Sequence, residues 1–154
     1  FTSTVAVAGE ALNQALAKAL NIDVFEAERL KKERGFMMTS ENKEVFDALL
    51  PVVSAIRDEV LRYLTFWSNH ATHLHRQESA VRKIYLCGGD SNLKGFAEYL
   101  SYELRLPVQL ANPWINITSF EDYVPEITYS DSLSYATALG LAIRAENLNI
   151  RKHD

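Results

Sequence analysis

The stretch Leu86-Cys87-Gly88-Gly89-Asp90-Ser91-Asn92-Leu93-Lys94-Gly95 is the part of the chain whose residue types and spacing best suit ligand chemistry. A glycine pair at the end of a buried strand leaves backbone bare of Cβ atoms, and a ligand can approach it closely. The crevice outside strand ends is also where open α/β sheets bind their ligands. The pattern leaves open which part of a ligand would sit there. The N-terminus of the following helix offers amides suited to phosphate, while flat glycine peptides suit a base or a sugar. It is not a P-loop, which needs Lys and Ser or Thr straight after its last glycine, because Phe96 follows Gly95. It does not match the dinucleotide fingerprint either. An ordinary tight turn between strand and helix accounts for the same glycines equally well.

Other reactive side chains group less convincingly. His70 and His73 fall on one helix face, but His75 points away from His73 and no cysteine lies near, so a polar helix end is the simpler account and no metal site is expected. No Gly-x-Ser-x-Gly elbow exists and nothing marks a nucleophile with its base, which removes a hydrolase reading.

The elements around the glycine pair follow from periodicity. Lys83-Ile84-Tyr85-Leu86-Cys87 reads as a buried strand, with Cys87 acting as a small hydrophobe, and Leu106-Pro107-Val108-Gln109-Leu110 as a second short strand. Between them Phe96, Ala97, Leu100 and Leu104 make an amphipathic helix. Upstream, residues 10–20 carry Leu12, Ala15, Leu16, Ala19 and Leu20 at helical spacing. Asp23 caps a second helix, with Glu26 completing a capping-box pattern, and that helix ends near Gly35. Ser40 is placed to cap the longest helix, whose face is Phe46, Leu49, Val53, Ile56, Val60, Leu64 and Trp67; Pro51 inside it should kink or divide it. Residues 69–82 are polar. Residues 114–129 read as irregular and, with Phe120, Tyr123 and Tyr129, as the better candidate for an interaction surface. Asp131 or Ser132 is expected to cap a last helix whose small residues Ala136, Ala138 and Gly140 pack in the core, followed by a polar tail at 147–154. The fold class is α/β, with helix in excess of strand.

Composition bounds the rest. The 154 residues, 47% of them hydrophobic, suffice for one domain with a real core. Sixteen basic against 20 acidic residues give a net charge of -4, which supplies no general attraction to nucleic acid or an anionic membrane. One cysteine forms no internal disulfide and suits a reducing compartment, and no apolar run is long enough to span a bilayer. The chain opens without Met, directly on the strand-like Val5-Ala6-Val7-Ala8, as a piece of a longer protein would.

The string from Ile84 to Phe96 resembles the adenosine motif of the actin-like ATPase superfamily, shared by actin, heat-shock chaperones, sugar kinases and the cell-division protein FtsA. Further pieces narrow the likeness. Ala8-Gly9-Glu10-Ala11-Leu12-Asn13-Gln14-Ala15-Leu16-Ala17 resembles the family's Gly-Gly…Thr…Ile-Ala helix opening, and Ala27-Glu28-Arg29-Leu30-Lys31 its Ala-Glu-x-x-Lys helix. Glu59-Val60-x-Arg62-x-Leu64-x-Phe66 resembles a distinctive Glu-Ile-x-Arg-Ser-Leu-x-Phe helix. With Leu106-Pro107-Val108, Asn112-Pro113 and the run from Tyr135 to Arg144, these pieces resemble the PilM family of type IV pilus assembly proteins over nearly the whole chain.

That resemblance implies the second half (subdomains IIA and IIB) of an actin-like, ribonuclease H-like fold: a sheet-bearing core at 1–22 and 80–146, with a helical lobe at 23–79. It implies ATP as the nucleotide, with Gly88, Gly89 and Ser91 lining adenine and ribose and with Glu28 and Lys31 reaching ribose and base. Taken without the family, Glu28 and Lys31 would read as a solvated helix face. Ala8 and Asn13 depart from the family's glycine and threonine. The family's phosphate hairpins and Mg²⁺ carboxylates should precede this chain, and the expectation is therefore half a nucleotide site, with weak or no ATP binding and no hydrolysis by the chain alone. As a partner, the resemblance implies the cytoplasmic peptide of a PilN-like inner-membrane pilus component, engaged through the full-length protein, with self-association possible and the location cytoplasmic. The competing readings are half of an actin-fold kinase, in which the cleft positions a small acceptor for phosphoryl transfer, or an FtsA-like cell-division protein.

Overall fold

The structure, a computed structural model, describes residues 9–70, 81–117, 121 and 123–150. The chain divides into two compact units, Phe1–Ile84 with Leu93–Gln109, and Tyr85–Asn92 with Leu110–Asp154.

The first unit is built on helices. Helix α1 (Gly9–Leu20) buries Leu12, Asn13 and Leu16, one face at the i, i+4 spacing its sequence shows. Helix α2 (Val24–Arg34) starts where expected: Asp23 Oδ1 accepts the Glu26 N–H at 2.9 Å, satisfying one of the donors a helix start leaves open. It stops at Gly35, whose φ of 67° is left-handed backbone that glycine adopts without strain, and the Gly35 N–H closes back on the Lys31 carbonyl. Helix α3 (Lys43–His70) is 28 residues long and packs on α1, burying Val45, Leu49 and Val53. Helix α4 (Phe96–Leu104) packs on α3 and buries Phe96, Leu100 and Leu104, as its periodicity predicts. Ser54 and Tyr99 hydroxyls meet at 3.2 Å, and Arg57 pairs with Glu103 at 2.5 Å.

Three expectations are corrected here. Helix α3 runs unbroken through Pro51, which is exposed, so the missing N–H costs a bond at the wet surface rather than in the core. Ser40 does not cap it; a short 3₁₀ turn, Ser40–Asn42, intervenes, because Asn42 turns its side chain back onto the preceding loop. Val45 is buried in the position assigned to Phe46, which is half-buried.

The sheet has two strands, β1 (Ile84–Leu86) and β2 (Val108–Leu110). The Ile84 N–H donates to the Pro107 carbonyl at 2.9 Å and the Ala111 N–H to the Leu86 carbonyl at 2.7 Å; partner numbers rise together, so the strands run parallel. Such a pair needs a crossover, and α4 supplies it.

The second unit holds the glycine turn. Thr128, with its side-chain oxygen accepting the Asp131 N–H, caps the short helix α5 (Tyr129–Ser132). A 3₁₀ turn (Leu133–Tyr135) leads into α6 (Ala136–Ile150). Ser132 and Leu133 are fully buried. The cap expected at Asp131 or Ser132 is thus Thr128, because the helix begins one short element earlier, and residues 147–150 of the expected tail continue α6. Cys87 is exposed, since β1 ends at Leu86 and the thiol already belongs to the turn. The small residues of α6 are not core: Ala138 and Gly140 are exposed, a Cβ at Gly140 would meet nothing, and Leu141 is 61% exposed. Small side chains permit close packing, but they do not supply the neighbour. Of the irregular stretch at 114–129, Ile115, Tyr123 and Val124 are well exposed, while Phe120 lies outside the described residues, as do the strand-like 5–8 and His73 and His75.

Candidate nucleotide-binding elements

The glycine turn is tied down on one side and open on the other. Gly88 has φ of 97°, and its N–H donates to the Leu133 carbonyl at 2.8 Å. Its own carbonyl accepts the Ser91 N–H at 3.2 Å and the Ser91 hydroxyl at 2.6 Å, closing the turn that begins the 3₁₀ segment Gly89–Asn92. Asn92 Nδ2 donates to the Ser130 carbonyl at 2.8 Å, a second strap to α5. A Cβ at Gly88 would meet nothing within 4 Å, whereas one at Gly89 would lie 3.2 Å from Ser134 Oγ. Gly88 therefore presents bare backbone to open space, where a flat group can lie against it. Ser91 is buried and its hydroxyl proton is committed to the turn, so it shapes the loop from within.

The other residues assigned to the nucleotide lie on α2, in the first unit. Lys31 is 6% exposed and shares the buried face of α2 with Ala27, which the solvated-face reading of this pair does not accommodate. Lysine is seldom buried so far without a specific reason. Glu28 is half-buried and pairs with Lys32 at 2.5 Å. The structure thus gathers Gly88, Gly89 and Ser91 in one turn, and Glu28 and Lys31 on one helix.

One arrangement that residue patterns do not announce fixes the end of α2. The Phe36 N–H donates to the Lys94 carbonyl at 2.7 Å, and Lys94 Nζ donates to the Glu33 carbonyl at 2.9 Å. Asn42 Nδ2 donates to the Met37 carbonyl at 2.9 Å and sits 3.3 Å from that of Gly35. Lys94 and Gly95 belong to the same motif as the glycine pair, yet their contacts are to residues about 60 positions away in sequence. Glycine and lysine in a motif carry no mark of such a partner.

The Glu59/Arg62 pattern forms a local pair: Arg62 Nη2 meets Glu59 Oε2 at 2.5 Å, and the guanidinium lies 4.8 Å from the Tyr63 ring centre. The hydrogen bond and the charge of Glu59 hold the Arg62 pKa above its ordinary value.

With this geometry in place, comparison with known proteins decides the family. Residues 1–146 match the sequence family described as Type IV pilus assembly protein PilM. The chain belongs to the PilM family. Among solved structures, the "PilM-PilN type IV pilus biogenesis complex" matches with a TM-score of 0.68 and 28% sequence identity over 90% of this chain. The chain spans 37% of the length of that PilM chain. A separate comparison with curated proteins found no match. A helix-rich chain with a small parallel sheet, superimposing on a PilM, is part of an actin-like fold, and the PilM-type segments at Ala27–Lys31, Glu59–Phe66 and the glycine turn all fall on the elements described above.

Proposed function

We propose that this chain serves type IV pilus assembly as part of an actin-like scaffold protein, and that it carries the adenosine side of that protein's nucleotide site. The match to the PilM family over residues 1–146 carries the reading. The solved neighbour is a complex of PilM with PilN, which supports a PilN-like cytoplasmic peptide as the partner engaged by the whole protein. No described helix is long and apolar enough to cross a membrane. A cytoplasmic position, held at the inner membrane through that partner, fits this role.

In the nucleotide part of the proposal, Gly88 and Gly89 offer a flat surface to adenine and ribose, Ser91 holds the turn, Glu28 accepts from ribose hydroxyls, and Lys31 reaches the base. Bound ATP sets lobe closure and partner affinity, while phosphate and Mg²⁺ are handled outside this chain. The open face of Gly88 supports its part in this reading. The test is deletion of the gene in its host. Loss of surface pili, restored by the wild-type gene, is expected; intact pili with loss of a metabolic kinase activity would overturn the reading. For the nucleotide part, calorimetric titration of Mg·ATP into the 154-residue chain should show Kd no tighter than about 1 mM, and Mg²⁺-dependent binding at about 1 µM would refute the half-site.

A further inference from the structure

We draw no further inference here: the strongest candidate, the exposed apolar face of α6 at Ala138 and Leu141 with Tyr135 on the turn before it, carries nothing because nothing in the structure shows what covers it.

Discussion

Gly95 and Phe36 approach so closely that a Cβ on the glycine would lie 2.2 Å from the Phe36 carbonyl oxygen. Facing it, a Cβ on Gly35 would fall 2.6 Å from Lys94 Cβ, and both glycines have positive φ, 83° and 67°. Contact below 3 Å to backbone cannot be relieved by turning a side chain. Gly95→Ala should therefore cost about 2–4 kcal/mol, combining a left-handed backbone penalty with displacement of the loop, and Gly35→Ala a comparable amount. Urea unfolding checks both; a loss below about 1 kcal/mol at Gly95 would mean that the loop gives way freely.

This contact also marks where sequence reading stops. Leu12 and Leu16, the Asp23 cap, and Phe96, Leu100 and Leu104 were legible because helix period and capping are local, encoded within about four residues. Gly35 was legible as a helix stop, but its fit against Lys94 was not, since a glycine reads the same whatever packs upon it. Cys87 and Ala138 were misjudged for a related reason: apolar or small character says that a residue tolerates burial, while only the tertiary arrangement supplies a cover. Lys31 fails in the opposite sense, as a charge in an otherwise polar helix gives no sign of being enclosed. Of the candidate site, the turn and α2 were legible as elements, and the family likeness alone joined them to a nucleotide.

Asn42 replaces a backbone partner for the loop it closes, so its removal leaves buried carbonyls unpaired. Asn42→Ala should cost about 1–3 kcal/mol. Asn42→Asp should be worse at neutral pH, where a carboxylate would face the Met37 and Gly35 carbonyls, and should recover part of the loss below about pH 4, where the protonated acid is again a donor. Stability of the two variants against pH separates the lost donor from a simple packing defect: only the Asp variant should gain on acidification relative to wild type.

Phe36 joins this loop to the core. Its ring stacks on Phe46 with centres 4.4 Å apart and meets Tyr99 edge-on at 5.1 Å. Phe36→Ala should cost about 3–5 kcal/mol, while Phe36→Leu, which keeps most of the volume but loses the ring contacts, should cost about half as much. Thermal unfolding of the two variants measures the ratio.

Arg57 gives a prediction in pH. Desolvation acts to lower its pKa but is outweighed by the charges of Asp58, Tyr99 and Glu103 and by the Glu103 hydrogen bond, leaving it raised. A raised folded pKa means that the stabilising charge is fully present below the ordinary arginine value and lost only as pH rises through the folded one. Wild type and Arg57→Gln should thus unfold with a constant difference between about pH 6 and 10. A difference that shrinks within that window would place the titration on another group.

Pro51 poses a question of competing magnitudes. It is exposed within α3, where an interior proline costs about 3 kcal/mol relative to alanine through the lost N–H and the clash with the turn before it. Proline also restricts the unfolded chain, which returns about 0.4–1 kcal/mol that an alanine would forfeit. The first effect is the larger. Pro51→Ala should raise stability by about 2 kcal/mol, read as a higher urea midpoint with unchanged slope. A gain near zero would show that α3 has already relieved the clash by bending at this turn, and a loss would mean that the Pro51 ring makes contacts that its exposure does not suggest.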